Sequence, residues 1–442
     1  MTATTADAPA APSTLRKVVL ASMIGTTIEW YDFFLYGTAA ALVFNKLFFP
    51  KADPLTGTML AFATYALGFV ARPLGGLVFG HLGDRIGRKQ LLMMSLMLMG
   101  GSTFLIGLLP TFDQIGLFAP LILVLLRLVQ GFAVGGEWGG AVLMVCEYGD
   151  AKRRGFWAGW PQAGVPAGNL LAAGVLAIMS AVQTDADFLA WGWRVPFLLS
   201  AVLILIGYWV RSTLAESPVF AKAVAERGID AAPVLQAIRR RPGGLAIGIG
   251  LRVGENITYY IITAFSITYI TEVVGLSRTV ALNALLAGAA VEVLLIPVFA
   301  WLSDKIGRRP VYFVGAAGMA LFGFAFFRML DTGVTPIVLG AVIIGLVLHG
   351  AMYAPQAAFI AELFPTRFRY SGASLAYQAT SIFAGSLAPI VALALFKATK
   401  SATPIAVYML IAGGISAFAA LRARETKGMT FAQIDAEDAA RA

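Results

Sequence analysis

A short polar motif occurs twice in this chain, and each copy joins two long apolar segments. The first copy occupies residues 80–89 and the second residues 300–309. Acidic, basic and glycine residues stand at matched places in the two copies, namely Asp84, Arg85, Gly87 and Arg88, and then Asp304, Lys305, Gly307 and Arg308. A repeat at almost half the chain length, set between apolar segments, indicates a duplicated membrane protein.

The composition excludes a soluble globular protein. Hydrophobic residues make up 59% of the 442 residues and charged residues only 13%, too few to cover the surface of a soluble fold of this length. The net charge of +9 does not require a nucleic acid partner, because the cytoplasmic loops of a membrane protein collect Lys and Arg. The single cysteine, Cys146, excludes an intrachain disulfide.

Roughly twelve segments are apolar and long enough to span a bilayer, which takes about 20 residues. The predicted fold is therefore an all-α membrane protein with twelve transmembrane helices in two pseudo-symmetric six-helix bundles. The predicted order is a tail (1–17), a bundle (18–211), a linker (212–243), a second bundle (244–421) and a tail (422–442). Lys and Arg concentrate in the tails, the linker and the loops of one side, which predicts that both termini are cytoplasmic.

Several motifs carry a resemblance to a known family. The loop at residues 80–89 and the segment Arg127-Leu-Val-Gln130-Gly131 resemble two signatures of the major facilitator superfamily. Finer motifs resemble its metabolite:proton symporter family, at residues 28–33, 135–140, 193–197, 216–220 and 362–366.

The resemblance, which covers about residues 16–425, implies a proton-driven secondary transporter of the bacterial cytoplasmic (inner) membrane. It also implies that helices 1, 4 and 7 line a central cavity, that the protein functions as a monomer and that it needs no cofactor. Members of the family carry shikimate, 2-oxoglutarate, citrate and other carboxylates, or proline and betaine. Only about twenty residues follow the last predicted span, too few for the long coiled-coil tail of osmosensing members.

Ionisable residues inside the predicted spans point to proton coupling. There are five acids and three bases: Glu29, Asp32, Glu137, Glu255, Glu292, Arg72, Arg127 and Arg252. Each costs roughly 2.5–3.5 kcal/mol at a helix centre, so we expect them to face one another or a water-filled cavity. Full ionisation would leave two uncompensated negative charges, which protonation removes. We predict that Asp32, and then Glu29 or Glu137, carries the coupled proton.

Polar residues also share helix faces. At about 100° per residue, one face of the seventh predicted helix holds Arg252, Glu255, Asn256, Tyr259, Thr263 and Ser266. We predict that a substrate carboxylate binds Arg127 and Arg252 and that polar side chains complete the site. The predicted substrate-binding set is Arg127, Arg252, Glu255, Asn256, Tyr259, Tyr36, Gln162 and Asn169. These amides and hydroxyls suit a hydroxylated ring acid such as shikimate better than a bare dicarboxylate.

Structural roles remain open for these residues. Arg252 and Glu255 have the spacing of an i, i+3 ion pair that only stabilises its helix. Arg127 could brace two helices, and Glu29 and Asp32 could be hydrogen-bonded acids that never turn over. The segment around Gln162 and Asn169 is rich in Gly and Pro and could be a packing seam.

Three further residues stay ambiguous at this point. Arg72 could snorkel toward the cytoplasm. Glu292 suits a structural role better than a coupling role. His349, in phase with Tyr353 and Gln356, is either a proton relay or a hydrogen-bonded packing residue.

The repeated loops predict a cytoplasmic gate. Asp84 and Asp304 each lie where a helix meets water, and a carboxylate there can accept hydrogen bonds from the N-terminus of a helix in the opposite half. The basic residues can meet acids in neighbouring loops, such as Glu362. The predicted gating set is Asp84, Arg85, Arg88, Asp304 and Arg308.

The sequence therefore predicts a proton-coupled symporter that imports a small organic acid. Two alternatives stay open, a symporter of a zwitterion such as proline or betaine and a proton-driven efflux antiporter. There is no P-loop, no metal-spaced cluster of His and Cys and no nucleophile–base arrangement. We therefore expect no enzyme activity and no bound metal.

Overall fold

The computed structural model describes residues 12–86, 88–135, 142–143, 145–146, 148–212 and 233–441, and over these ranges it contains no β-strand. The first half has six long helices: α1 (Pro12–Ala39, continued by Ala40–Phe44 and Asn45–Leu47), α2 (Pro54–Ile86), α3 (Arg88–Leu108), α4 (Phe118–Val134), α5 (Arg154–Val182) and α6 (Asp185–Asp187, Phe188–Gly192, Arg194–Leu198 and Ser200–Ser212).

The second half repeats this arrangement. Its helices are α7 (Pro242–Tyr260, Ile261–Phe265, Ser266–Thr268 and Tyr269–Val273), α8 (Arg278–Ile306), α9 (Arg308–Asp331), α10 (Thr335–Ala361), α11 (Thr366–Thr380, Ser381–Gly385 and Ala388–Thr399) and α12 (Thr403–Arg422). A shorter helix, α13 (Phe431–Arg441), follows them, and two short helices lie in connections, Phe112–Ile115 and Pro233–Arg240. The predicted all-α fold of twelve transmembrane helices is confirmed.

The apolar character of these helices fits a bilayer. Among the described residues, nine helices are long and apolar enough to cross a membrane, and α3 and α4 contribute shorter apolar helices, Met93–Leu108 and Phe118–Val134. Helix α7 is not among these nine, and it carries buried Arg252, Glu255 and Asn256 on the polar face that the sequence predicts. A helix of that kind must turn its polar face toward protein or water and away from lipid.

The two halves meet through symmetric helix pairs. On one side α5 packs along α8 and also contacts α10, and on the other side α2 packs against α11. We call the end of the bundle where α6 ends and α7 begins the linker end, and the opposite end the far end. The polar side chains of α1, α2, α4, α7 and α10 lie in the space between these pairs.

Glycine allows a very close crossing of α2 and α4. A Cβ atom on Gly131 would lie 1.8 Å from the carbonyl oxygen of Gly68, and one on Gly135 would lie 2.0 Å from the carbonyl oxygen of Arg72. Any side chain there would push the helices apart, because packed interiors have no room to absorb it. This crossing fixes the positions of Arg72 and Arg127 relative to each other.

Candidate functional site

The linker end is sealed by Asp304, which joins the two halves. Its carboxylate accepts hydrogen bonds from the backbone N–H groups of Gly155 (2.9 Å) and Phe156 (2.8 Å), at the N-terminus of α5 in the other half. Arg308 donates to the same carboxylate at 2.6 Å. The structure thus contains the contact predicted for the second repeat. The side chains of Asp84, Arg85 and Arg88, from the first repeat, lie outside the described residues.

Glu362 extends this seal. It accepts from Arg154 of the first half at 2.8 Å and from Arg308 at 3.4 Å. All three side chains are almost completely buried, so these are desolvated ion pairs with matched hydrogen bonds. Sequence reasoning named Glu362 as a partner for the basic residues of the loop but did not single out Arg154.

The C-terminal segment packs over the same place. Glu425 accepts from the backbone N–H groups of Arg308 and Arg309 (both 3.0 Å) and so caps the N-terminus of α9. The ring of Phe431 lies between two guanidinium groups, 3.7 Å from Arg154 and 3.4 Å from Arg369. It also contacts a buried apolar cluster built from both halves, namely Val142, Leu143, Cys146, Ala158, Ala357 and Ala361.

Two arginines lie deep in the first half, next to the same aromatic ring. The guanidinium carbon of Arg72 is 4.6 Å from the centroid of Phe33, and that of Arg127 is 4.5 Å from it. Arg127 donates to Gln130 (3.0 Å) and to the carbonyl oxygen of Tyr65 (3.3 Å). Both arginines are at most 1% exposed, and no ion pair to either is found among the side chains that the structure describes.

These arginines also have hydrogen-bond donors to spare. Within the part of the chain that the structure describes, Nε and Nη2 of Arg72, Nη2 of Arg127 and Nε of Arg252 are buried without an acceptor. Buried donors without a partner are rare in proteins and need an explanation. A carboxylate ligand is one, because it offers up to four acceptor positions to guanidinium groups.

The second half holds a connected polar network. Arg252 donates to Glu255 (2.7 Å) and to Gln356 (2.9 Å), and its guanidinium carbon lies 3.6 Å from the ring centroid of Tyr377. The other oxygen of Glu255 lies 3.0 Å from Nε2 of His349. Nδ1 of His349 contacts Glu292 in turn, so that α7, α8 and α10 share one chain of ionisable groups.

A cavity lies between the halves next to these arginines. The cavity is small in this conformation, with about 20 Å³ of space, which is enough for about one water molecule. Its lining comes from both halves: Thr26, Glu29, Trp30, Arg72, Val134, Val142, Pro161, Gln162, Tyr377 and Gln378. Since Tyr377 contacts Arg252, this cavity has Arg72 in its wall and Arg252 directly behind it.

A layer of aromatic side chains from both halves lies next to Arg72. Phe33 contacts Tyr65 and Phe69 within the first half, and Tyr260 of the second half packs against Phe69 at 5.7 Å between centroids. Arg127 lies within this layer, where its guanidinium also faces the rings of Tyr36 (4.6 Å) and Tyr65 (4.5 Å). It is therefore near the cavity but not in its wall.

Two predicted ligands make hydrogen bonds across the halves. Asn169 of α5 donates to the hydroxyl of Tyr259 at 3.2 Å, and Gln162 of α5 donates to the carbonyl oxygen of Tyr353 at 3.1 Å. Asn256 contacts Glu255 at 3.4 Å. These contacts place the predicted residues of α5 and α7 around one central region.

The predicted acids of α1 face another helix of their own half. Glu29 forms an ion pair with Arg211 of α6, and Asp32 accepts from Ser200 of α6 at 2.5 Å. Tyr36 points the other way and shares a hydrogen bond of 2.7 Å with Thr64 of α2. Of these residues only Glu29 also lines the cavity. Glu137, the remaining predicted proton carrier, lies outside the described residues.

The structure adds residues that the sequence did not select. Tyr377 and Gln356 contact Arg252, whereas His349 and Glu292 continue the network from Glu255. The common phase of His349 and Gln356 on α10 was a usable signal. No comparable signal existed for Tyr377, since its role depends on how α11 packs against α7.

Comparison with known families and proteins agrees with this architecture. The sequence model of the Major Facilitator Superfamily matches residues 22–389 of the chain, and a second match covers residues 255–434. The chain belongs to the Major Facilitator Superfamily. It is accordingly a membrane transporter and not an enzyme, as the resemblance of its motifs implied.

Curated relatives match nearly the whole chain. The shikimate transporter of Escherichia coli (strain K12) is 42% identical over 422 residues, which is 94% of this chain and 96% of the relative. The inner membrane metabolite transport protein YhjE of the same strain is 40% identical over 416 residues, 93% and 94% of the two chains. The proline/betaine transporter of that strain is 33% identical over 439 residues, 96% and 87%.

Solved structures share the fold. The proton:xylose symporter XylE bound to 6-bromo-6-deoxy-D-glucose superposes with a TM-score of 0.76, covering 96% of this chain and 99% of that one. The identity is 18%, so the likeness concerns the arrangement of helices alone.

Proposed function

We propose that the protein is a proton-coupled symporter that imports a small organic carboxylate. The observation that carries the proposal is the set of buried donors without acceptors on Arg72, Arg127 and Arg252, grouped around the cavity between the halves. Three guanidinium groups at the boundary of two mobile halves suit an anion that must be bound by both halves.

The proposed binding mode places the carboxylate between Arg72 and Arg252. Gln162 and Tyr377 line the same cavity and supply an amide and a hydroxyl for the rest of the substrate. Arg127 stays behind the aromatic layer and adds positive potential. The identity of 42% with a shikimate transporter supports a hydroxylated ring acid as the first substrate to test.

A zwitterion is the second candidate. The proline/betaine transporter, at 33% identity, favours it, and such substrates also carry a carboxylate for the arginines. Their cationic group would then need an acid at the cavity, and Glu29 is the acid that lines it in the described part of the chain. Glu29 is already paired with Arg211, which favours the anion.

We further propose that the linker end faces the cytoplasm of a bacterial inner membrane and acts as one of two gates. The concentration of Lys and Arg in the loops of that side supports this orientation. In this proposal the bonds of Asp304 and Glu362 across the halves hold the gate shut, and they break when the cavity opens to the cytoplasm. Asp32 carries a proton that neutralises α1 before the loaded carrier reorients.

The test is uptake into proteoliposomes with an imposed pH gradient and the membrane potential clamped at zero. A symporter concentrates labelled shikimate when the outside is acid, and an antiporter expels it. Uptake of labelled proline or betaine, with no uptake of shikimate, would favour the zwitterion. Uptake that ignores the pH gradient would overturn proton symport.

The Asp32 assignment has its own variant. Asp32→Asn should lower the accumulation ratio by about tenfold for each pH unit of gradient, the value of one proton, while substrate exchange without a gradient continues. Asp113→Asn, at an exposed position, is the matched control. An unchanged ratio in Asp32→Asn would remove Asp32 from the mechanism.

A further inference from the structure

We propose that Glu255, His349 and Glu292 form a buried triad that takes up one proton together with the substrate carboxylate. The proton is additional to the one assigned to Asp32. This inference rests on the proton symport proposed above and adds a second proton site, in the second half of the molecule.

The triad is continuous and comes from three helices. Oε1 of Glu255 on α7 lies 3.0 Å from Nε2 of His349 on α10, and Nδ1 of His349 contacts Oε1 of Glu292 on α8. All three side chains are buried. Both ring nitrogens of the histidine therefore face a carboxyl oxygen.

These two contacts require two hydrogens. A neutral imidazole carries one N–H, which can serve only one of the two carboxyl oxygens. The second contact needs an added proton, either on the other ring nitrogen or on one of the carboxyl groups. Wherever that proton lies, it belongs to the triad as a unit. The arrangement with both contacts is therefore that of the protonated triad, and release of the proton breaks one of the two contacts.

Charge balance links that proton to the substrate. With Arg252, the protonated triad has no net charge, whereas loss of the proton leaves one buried negative charge, which is costly away from water. A substrate carboxylate on Arg252 competes with Glu255 for the guanidinium and adds a second negative charge. Binding of the anion therefore favours binding of the proton, and the reverse holds by linkage.

Apart from Arg252, the neighbouring groups named below are uncharged, so the charge balance is set by the triad and Arg252. The rings of Tyr259 and Tyr353 lie 4.4 Å and 5.2 Å from the imidazole. Charged or titratable groups near the triad come from four helices: Arg252, Tyr259 and Tyr260 on α7, Tyr312 on α9, Tyr353 on α10 and Tyr377 on α11. Tyrosines are neutral at physiological pH, and the nearby polar residue of α5, Asn169, is uncharged.

Glu292→Gln is the decisive variant. The new amide can donate to Nδ1 of His349, so that both ring contacts are satisfied without the added proton. Glu292 is not in the wall of the substrate cavity, and we expect exchange of shikimate without a gradient to persist. Glu272→Gln, at an exposed position on α7, is the matched control. Glu292→Leu, which removes the acid without replacing its hydrogen bond, is a second variant with the same expected result.

Two measurements follow in purified and reconstituted protein. Calorimetry of shikimate binding in two buffers with different ionisation enthalpies counts the protons taken up, and Glu292→Gln should take up one fewer than wild type. In reconstituted Glu292→Gln, the accumulation ratio at zero membrane potential should be lower than in wild type by about tenfold per pH unit of gradient. The triad proposal is wrong if both Glu292 variants take up as many protons and accumulate as much shikimate as wild type. Proton symport itself is wrong if uptake by the wild-type protein does not depend on the pH gradient.

Discussion

The two halves of this transporter share one fold but balance their buried charges differently. In the first half, Arg72 and Arg127 lie against aromatic rings and keep donors without acceptors. In the second half, Arg252 has an acid three residues away, and that acid is itself joined to His349. Among the described residues, these two arginines of the first half have no acid beside them, whereas the arginine of the second half is neutralised by Glu255.

This difference suggests a division of tasks across the pseudo-twofold axis. In the proposed function, Arg72 and Arg127 of the first half attract the substrate but contribute little to folding, since cation–π contacts recover only part of the cost of burying them. In the same proposal Arg252, which is paired with Glu255, contributes both to substrate binding and to folding stability. Removing arginines one at a time should therefore separate binding from stability.

The largest effect is expected for Arg252→Met. It removes the substrate contact and leaves Glu255 as a buried acid without its cation, which typically costs 3–5 kcal/mol of folding free energy. Uptake should be abolished, and the unfolding temperature in detergent should fall clearly. Arg422→Met, at an exposed position, serves as the control. An unfolding temperature equal to that of wild type would show that Glu255 does not depend on Arg252.

Arg72→Met should give the contrasting result. Truncating a buried charge that contacts a ligand typically costs about 2–5 kcal/mol of binding free energy, so the apparent affinity for the carboxylate should fall by at least tenfold. The unfolding temperature should stay the same or rise, because an unpaired buried charge is removed. Loss of stability comparable to that of Arg252→Met would end the proposed contrast between the halves.

Asp304→Asn should have a smaller effect, confined to the linker end. Asn at this position keeps one acceptor for the N–H groups of α5 but loses the charge that binds Arg308 and the helix dipole. We expect a loss of about 1–2 kcal/mol, measured by thermal unfolding, and insensitivity of that loss to salt because the site is buried. A loss that depends on salt would show that the Asp304 contacts are exposed to solvent.

The smallest effect is expected at the far end. There the contact between the halves includes Arg278 of α8 with Asp185 of α6, whose carboxylate is largely exposed. Asp185→Asn should change stability by less than about 1 kcal/mol, and 0.5 M NaCl should erase the difference from wild type. A larger loss of stability in Asp185→Asn than in Asp304→Asn would show that the far end, and not the linker end, contributes more to stability.

The sequence predicted the elements of the fold because they depend on local patterns. Apolar length specifies a spanning helix, and the repeated loop placed Asp304 at a helix end that faces the other half. The polar face of α7 likewise follows from helical periodicity, and the network of Arg252 and Glu255 lies on it.

The partners of these residues could not be predicted in the same way. Glu29 pairs with Arg211 of α6, a residue at the edge of the predicted linker. Glu292 of α8 pairs with His349 of α10. Such pairs depend on how separate helices rotate against each other, which no spacing within one helix encodes. The closeness of Arg72 and Arg127 depends similarly on the glycine crossing of α2 and α4.

Cys146 gives the linker-end seal a practical use. It is the chain's single cysteine, and it is fully buried in the apolar cluster that the segment before α5 forms with α5 and α10, against which Phe431 packs. A thiol reagent can reach it only when these elements separate. In the proposed cycle the linker end opens, so a maleimide should modify the unaltered protein faster during turnover than in the absence of substrate.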